Sequence, residues 1–249
     1  NVIEEQLKVL SATHKKVWYL LDGLYSMRGD FAPLEELVAL MEKYPARHRD
    51  GDDAHATTGT GTYGRGCALE KLKDRSRVVV ALSLNKAFGA GGGAMIFPTQ
   101  EMANLVRRSG GPMVFSGALQ PALLGAAVAS ARLHLSPLLA QLQAELMSRL
   151  ELTVNLARKF HVPLGVESLN PVFFLRGGST KNCFSLVNSL RERGACVCAA
   201  MFPIVPRGNA GARFTITLHN KPEDIETLIG WLALETERLG LVQSPPAAE

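Results

Sequence analysis

Five consecutive apolar residues, 78–82 (VVVAL), are followed directly by a polar segment that contains Lys86 and then by a run of glycines. An apolar run of this length predicts a buried strand, and the glycines predict a loop where the strand ends. Segments typical of strands and helices alternate over the first 115 residues, which predicts an α/β fold with a mostly parallel sheet. Lys86 is therefore expected at the end of a buried strand of that sheet.

Apolar residues at helical or strand-like spacing predict secondary structure along most of the chain. Residues 92–97 are expected to return as a short strand antiparallel to the strand at 78–82. The other predicted strands are 16–21, 172–176, 195–200 and 213–218, and the predicted helices are 2–13, 33–44, 99–108, 121–135, 138–160, 180–193 and 222–239.

Composition and charge exclude several classes of function. The net charge of +4 is spread along the chain without a basic stripe interleaved with aromatics, so nucleic acid is not an expected partner. No apolar run reaches the ~18 residues of a membrane span. The four cysteines lack paired spacing, so we expect no metal site and a cytoplasmic protein. Cys196 and Cys198 flank Val197, which predicts two buried, reduced thiols on one face of a strand.

The residues around the lysine segment point to a cofactor. Asp52 and His55 precede Lys86 along the chain. A lysine at a strand end can form a Schiff base with pyridoxal phosphate (PLP), and an aspartate can pair with the ring nitrogen of PLP. The carboxylate keeps the ring protonated, so that the ring withdraws electrons from the substrate α-carbon. His55 is a candidate either for contact with the phenolic oxygen of PLP or for stacking, and Ser26 is a candidate for contact with the same oxygen. Lys86, Asp52 and His55 are the predicted catalytic residues.

The phosphate of PLP needs hydroxyl groups and backbone N–H donors. Ser83, near the end of the predicted strand, is one candidate, and Ser116 with Gly117 is another. Ser116 is equally well interpreted as the N-cap of the helix predicted from Pro121.

The segment before Asp52 fits its expected role badly. A buried strand is needed there to carry Asp52 to the C-terminal edge of the sheet, yet residues 45–51 contain proline, glycine and several charged side chains. The segment is therefore either a surface loop or a locally degraded strand. Asp53 is the alternative to Asp52, but side chains alternate on an extended segment, so only one of the two is expected to point inward. We assign that direction to Asp52.

Taken together, these motifs resemble the α-oxoamine synthases, a family of fold-type I PLP-dependent enzymes. The resemblance covers nearly the whole chain, and its segments follow the family's order: 22–30 (DGLYSMRGD), 32–34 (APL), 52–55 (DDAH), 64–66 (GRG), 83–89 (SLNKAFG) and 115–121 (FSGALQP). It implies that Lys86 binds PLP covalently and that Ser116 and Gly117 reach the phosphate of the neighbouring subunit in a homodimer. The implied reaction condenses an acyl-CoA or acyl carrier thioester with a small amino acid, loses carbon dioxide and yields an α-amino ketone.

The resemblance also implies a domain organisation. Residues 1–136 are expected to form the C-terminal portion of the large PLP-binding domain, and residues 137–242 a small C-terminal α/β domain. Residues 243–249 are expected to be a disordered tail. The chain opens on Asn1 in a helical pattern without a cap, and we expect a further N-terminal part in the complete protein.

Two departures from the family pattern bear on the substrate and on the site. Members carry an Ala-Arg-x-Arg pattern whose second arginine binds the substrate carboxylate. Residues 212–215 (ARFT) place Thr215 there, and threonine cannot replace a bidentate arginine. Arg213 is expected on the opposite face of its strand. The family is also glycine-rich after the DDAH motif, where this chain has residues 56–59 (ATTG).

Three hypotheses for the function follow. The first is a PLP-dependent acyltransferase of the α-oxoamine synthase type. The second is another fold-type I PLP enzyme, such as an aminotransferase, because Thr215 replaces the arginine. The third is a truncated or non-catalytic relative, because the segment before Asp52 is altered and the family has further N-terminal residues. The retention of Lys86 argues against a non-catalytic partner subunit, whereas the altered segment and the further N-terminal residues of the family favour a truncated, decayed copy.

Overall fold

The computed structural model describes residues 2–44 and 47–241, and the chain divides into two compact units. The first unit comprises residues 1–25 and 31–140, and the second comprises residues 26–30 and 141–249. Each unit has its own sheet and its own apolar core. The predicted tail at 243–249 lies outside the described residues.

The first unit is built on a four-stranded mixed sheet. Its strands are β1 (Val17–Asp22), β2 (Arg47–Asp52), β3 (Val78–Ser83) and β4 (Gly93–Ile96), and its helices are α1 (Val2–Thr13), α2 (Leu34–Lys43), α3 (Gly66–Lys71), α4 (Gln100–Ser109), α5 (Gly111–Phe115) and α6 (Pro121–His134). In the order β1-β2-β3-β4 the first three strands run parallel, and β4 runs antiparallel to β3. The predicted antiparallel return at 92–97 is therefore confirmed, whereas α3 and α5 were not predicted.

The segment with the poorest strand pattern contributes a central strand. β2 pairs in parallel with β1 on one side and with β3 on the other, so the surface-loop alternative for this segment is wrong. Residues 45 and 46 lie outside the described residues. Backbone hydrogen bonds to two neighbouring strands do not require apolar side chains, and tertiary pairing here overrides a weak strand propensity. As a result Asp52 is carried to the end of β2, opposite Asp22 of β1.

Helices cover one face of this sheet with apolar side chains. One cluster joins β1 to α1 and α2, and a second joins β3 to α3. On β1 the alternate residues Trp18 and Leu20 are 40% and 70% exposed. Successive strand side chains point to opposite faces, so these two lie on the face away from the helices.

The second unit is a three-stranded antiparallel sheet packed against helices. Its elements are α7 (Pro137–Lys159), β5 (Val172–Gly178), α8 (Thr180–Glu192), β6 (Cys198–Ala200), β7 (Ala210–Thr215) and α9 (Pro222–Arg238). The order β5-β7-β6 places β7 in the centre. An apolar cluster fills the space between sheet and helices, and Phe173, Leu186 and Ile229 in it are fully buried.

The prediction of two buried thiols at Cys196 and Cys198 is wrong. Both residues are exposed, because β6 begins only at Cys198 and forms an edge of its sheet. All four cysteines are free. Within residues 2–44 and 47–241, no group of three or more His, Cys, Asp or Glu side chains is placed to hold a metal ion.

In the described part of the chain, no single helix has the length and apolar character needed to cross a membrane. α6 and α7 meet those criteria only as a pair, and the pair is bent by 83°.

Candidate functional site

The carboxyl ends of three parallel strands bring polar side chains to one edge of the first unit's sheet. β1 ends at Asp22, β2 ends at Asp52 and β3 ends at Ser83. Open α/β sheets bind ligands outside the carboxyl ends of their strands. This edge is therefore the candidate functional site.

Lys86 lies in the hairpin that connects β3 with β4, and its side chain is exposed. The Leu84 N–H donates to the Gly92 carbonyl at 3.0 Å, and the Gly89 N–H donates to the Lys86 carbonyl at 2.9 Å. The Asn85 side chain accepts a further bond from the Gly92 N–H at 3.2 Å. Gly89 and Gly92 have φ angles of +72° and +84°, which only glycine adopts without strain. The glycine run thus shapes a closed loop that holds Lys86 just beyond the end of β3.

Asp22 is a charged group of this edge to which the motif at 22–30 assigned no role of its own. Burial raises the pKa of its carboxyl, and the negative charge of Asp52 raises it further. The positive charge of Lys86 acts in the opposite direction and lowers the Asp22 pKa. Two carboxyl groups and one amine therefore lie within electrostatic reach of one another around Asp22. An acidic residue at the last position of an apolar strand is the signal that could have identified it.

Asp52 and its neighbour Asp53 have opposite environments. Asp52 is exposed, and its Oδ1 accepts a hydrogen bond from the Ala54 N–H at 2.8 Å. Asp53 is fully buried, and its Oδ2 accepts the Ala68 N–H of α3 at 2.7 Å. Only one of the pair points into the protein, as strand alternation requires, but that residue is Asp53 rather than Asp52. Asp52 instead faces the open edge, where its charge acts on Asp22.

Asp53 is enclosed by backbone on both sides. A Cβ atom at Gly23 would lie 1.8 Å from Oδ1, and a Cβ atom at Gly66 would lie 2.5 Å from Oδ2. Among the described residues, Oδ1 has no hydrogen-bond partner. Burial is the largest influence on this carboxyl and raises its pKa to about 6, while the Ala68 N–H bond lowers it. Asp53 therefore ties α3 to the strand end that carries Asp52.

The raised pKa of Asp53 predicts a pH dependence of stability. The folded state holds this proton up to about pH 6, whereas an unfolded aspartate releases it near pH ~4. The unfolded state therefore binds fewer protons in this window, and the free energy of unfolding falls as the pH rises from about 4 to about 6. The fall should be about 2–3 kcal/mol and should not continue above that window.

Asp53→Asn should remove this dependence. The difference in free energy of unfolding, variant minus wild type, should rise by about 2–3 kcal/mol between pH ~4 and pH ~7. Urea titrations at each pH measure this difference. A difference that stays constant over this range would mean that Asp53 ionises like an exposed aspartate.

The other predicted residues of the first unit lie at its loops. Ser83 and His55 are half-buried, the first at the end of β3 and the second in the turn after β2. Ser116 and Gly117 are exposed between α5 and α6. The N-cap of α6 is Gln120, so the interpretation of Ser116 as the N-cap of that helix is wrong. Ser116 is instead the C-terminal cap of α5.

Ser26 belongs to the second unit, where its carbonyl oxygen accepts a hydrogen bond from Nε of Arg213 at 2.7 Å. Arg213 and Thr215 share one face of β7, because Ala212 and Phe214 alternate with them and are buried. The expectation that Arg213 lies on the opposite face is therefore wrong, since residues two apart on a strand point to the same side. The Arg213 guanidinium is engaged with the Ser26 backbone.

Comparisons with known proteins agree on one family. A family model described as aminotransferase class I and II matches residues 2–232. The 8-amino-7-oxononanoate synthase of Maricaulis maris is 32% identical over 251 residues, which cover 99% of this chain and 59% of that protein. A putative 8-amino-7-oxononanoate synthase of Geobacillus kaustophilus is 32% identical over 248 residues, 96% of this chain and 60% of that protein. The chain therefore spans about 60% of the length of these curated relatives.

Solved structures confirm the expected fold class, an α/β fold of the type I PLP-dependent transferases. Serine palmitoyltransferase of Sphingomonas wittichii superposes with a TM-score of 0.86 at 25% identity, over 97% of this chain and 59% of that one. The enzyme of the same name from S. paucimobilis was solved with a bound PLP–myriocin compound. It superposes with a TM-score of 0.83 at 23% identity, over 96% of this chain and 60% of that one. The resemblance found from the motifs is confirmed by these similarities.

Proposed function

Because the chain belongs to the aminotransferase class I and II family, we propose that it acts as a PLP-dependent acyltransferase of the α-oxoamine synthase type. The observation that carries the proposal is the grouping of Asp22, Asp52 and Lys86 at the carboxyl edge of the sheet. The similarity to proteins named 8-amino-7-oxononanoate synthase and serine palmitoyltransferase supports the reaction type.

The residues at this edge fit PLP by their chemistry. PLP presents an aldehyde that reacts with an amine, a ring nitrogen that pairs with a carboxylate and a phosphate that accepts hydrogen bonds. Lys86 offers an exposed amine, Asp52 an exposed carboxylate and Ser83 a hydroxyl, all at strand ends of one sheet. We assign these three residues to the aldehyde, the ring nitrogen and the phosphate, respectively. His55 and Ser26 are assigned to the phenolic oxygen.

The carboxylates of the edge have separate tasks in this proposal. The Ala54 N–H fixes the orientation of the Asp52 carboxylate, which keeps the ring nitrogen protonated. Asp22 interacts electrostatically with both Asp52 and Lys86, and its own pKa is raised by burial and by the charge of Asp52. When bound, PLP supplies an electron sink for the α-carbon of the amino acid.

The proposed reaction joins the acyl carbon of a CoA or acyl carrier thioester to the α-carbon of a small amino acid. The new carbon–carbon bond replaces the carbon–sulfur bond of the thioester and the bond to the amino acid carboxylate. The products are the α-amino ketone, the free thiol and carbon dioxide, and one proton is taken up from solvent. No external oxidant or reductant is needed.

We further propose that the protein works as a homodimer in the cytoplasm. Ser116 and Gly117 of one subunit would contact the phosphate held by the other. Exposed apolar side chains precede them, with Phe115 89% and Val114 55% exposed. A cluster of this kind is typical of an interaction surface.

A second candidate function, amino-group transfer, is favoured by one observation. Thr215 stands where the resembling family has its carboxylate-binding arginine, and the neighbouring Arg213 is bound to the Ser26 carbonyl. Thr215 cannot supply the bidentate clamp on the amino acid carboxylate that the condensation reaction of the family uses.

The experiment that tests the proposal measures two products at once. Protein loaded with PLP is mixed with an acyl-CoA and with glycine, alanine or serine labelled at the carboxylate, and free thiol and labelled carbon dioxide are followed. Equal yields of both products are expected, and Lys86→Ala should form neither. In a parallel reaction that also contains a 2-oxo acid, its conversion to an amino acid without thiol release would favour the aminotransferase. A PLP-bound protein that forms no product would be a non-catalytic relative.

A further inference from the structure

His134, the last residue of α6, touches two loops of the first unit that carry proposed cofactor-binding residues. Its side chain is buried, and its Nε2 lies 2.9 Å from Oγ1 of Thr58, in the loop that follows His55. Its ring packs against the ring of Phe88, with 4.7 Å between the two ring centroids. Phe88 lies two residues after Lys86 in the hairpin. One buried side chain therefore contacts both the loop after β2 and the hairpin between β3 and β4.

The hydrogen bonds of His134 define its tautomer. Nδ1 lies 2.8 Å from the Ser130 carbonyl oxygen, which can only accept, so Nδ1 carries the proton. In the neutral ring Nε2 is then an acceptor, and the Thr58 hydroxyl donates to it. Ser130 adds a second link, because its hydroxyl donates to the Phe88 carbonyl at 2.6 Å. The last turn of α6 thus holds each loop by a directional bond.

Thr58 is held in a backbone conformation that β-branched residues rarely adopt. Its φ angle is +76°, in the left-handed region that favours glycine. Its N–H donates to the Gly64 carbonyl at 2.8 Å, and a Cβ atom at Gly64 would lie only 2.8 Å from Cδ2 of His134. Strained conformations of this kind persist only where surrounding contacts hold them in place. The bond from Thr58 to His134 is one such contact, made three residues after His55.

We propose that His134 is a positioning residue that clamps the loop at 53–66 to the hairpin at 84–92 in the arrangement that binds PLP. The identity of the ligand rests on the proposed function, whereas the clamp is built from the contacts of Thr58, Ser130 and Phe88. His134 acts through these neighbours and does not contact the reacting atoms.

The first test compares the PLP dissociation constant of wild type and His134→Leu, both shown to be folded by circular dichroism. Leucine removes both ring hydrogen bonds, the one to the Ser130 carbonyl and the one to the half-buried Thr58 hydroxyl. We expect the dissociation constant to rise roughly tenfold or more. His219→Leu, the same change at an exposed histidine, is the matched control and should leave it unchanged. An unchanged constant in His134→Leu would overturn the positioning role.

A second variant separates positioning from general support of the fold. Thr58→Gly relieves the backbone strain, because glycine adopts positive φ freely, and the loop then depends less on His134. The double variant Thr58→Gly/His134→Leu should therefore bind PLP within about twofold of Thr58→Gly alone. A double variant that shows the full loss of the His134→Leu protein would indicate damage to packing instead and would overturn the proposal.

Amide hydrogen exchange measured without PLP tests the clamp independently of the proposed function. His134→Leu should exchange faster in both residues 57–66 and residues 84–92, with the strands of the sheet unchanged. If the loops respond in this way but wild type binds no PLP, the proposed function fails and the clamp stands. Exchange that is unchanged in either loop, or faster throughout the first unit, would overturn the clamp.

Discussion

Replacing Lys86 by alanine is expected to abolish the visible absorption band of protein-bound PLP while the fold is preserved. The band requires a covalent link to an amine, and alanine has none to offer. Lys86 is exposed in a hairpin closed by backbone hydrogen bonds, so removal of its side chain opens no cavity in the core. The absorption spectrum after incubation with PLP and desalting measures the effect, and we expect the variant to retain almost none of the cofactor that wild type retains.

A second exposed lysine provides the matched control for Lys86→Ala. Lys73 is also exposed and lies outside the candidate site, so Lys73→Ala should bind PLP as wild type does. Unchanged far-ultraviolet circular dichroism of both variants establishes that neither has unfolded. Persistence of the band in Lys86→Ala would place the covalent link on another lysine, and the assignment of this edge as the PLP site would have to be abandoned.

The largest loss of stability is expected for Gly211→Ala in the central strand of the second unit. A Cβ atom at Gly211 would lie 2.1 Å from the Leu175 carbonyl oxygen and 2.7 Å from Cζ of Phe174. Both neighbours belong to β5, the strand paired with β7, and both are buried. The strands cannot separate without loss of their hydrogen bonds, so we expect a destabilisation of about 3 kcal/mol or more.

Gly230→Ala is the matched control, with the opposite expected sign. Gly230 lies inside α9, and a Cβ atom there would meet nothing within 4 Å. Alanine should therefore stabilise the helix by about 0.5–1 kcal/mol. Urea unfolding monitored by Trp231 fluorescence, in a Trp18→Phe background, reports on the second unit alone. Equal effects of the two substitutions would contradict the packing described around Gly211.

Local patterns were enough to predict the elements whose side chains follow a clear period. α1 occupies residues 2–13 as predicted, and α9 agrees with its predicted range within one residue. β6 and β7 were less well predicted: β6 begins at Cys198 rather than at residue 195, and β7 begins at Ala210 rather than at residue 213. The ends of short strands depend on which neighbouring strand offers a backbone partner, and that information is not local.

The chemistry of the candidate site was also largely visible in the sequence. A serine and a lysine follow the apolar segment at 78–82, and an aspartate ends the charged segment that precedes it along the chain. The order of these motifs resembles one enzyme family. The roles assigned to Lys86, Asp52, His55, Ser26, Ser83, Ser116 and Gly117 stay predictions until the experiments above are done. Asp22 and His134 were missed, because Asp22 received no role beyond its place in the motif at 22–30 and a lone histidine carries no pattern of its own.

The sequence by itself determined the helical and strand segments, the motif order and the residue types available for chemistry, because these depend on neighbouring residues along the chain. Tertiary structure alone decided that the charged segment before Asp52 becomes a central strand, since its two partners are remote in sequence. It also decided that Asp53 is buried against Gly23 and Gly66, and that Thr58 adopts a positive φ angle beside His134. Burial and backbone strain are set by contacts between distant segments, and those contacts exist only in the folded chain.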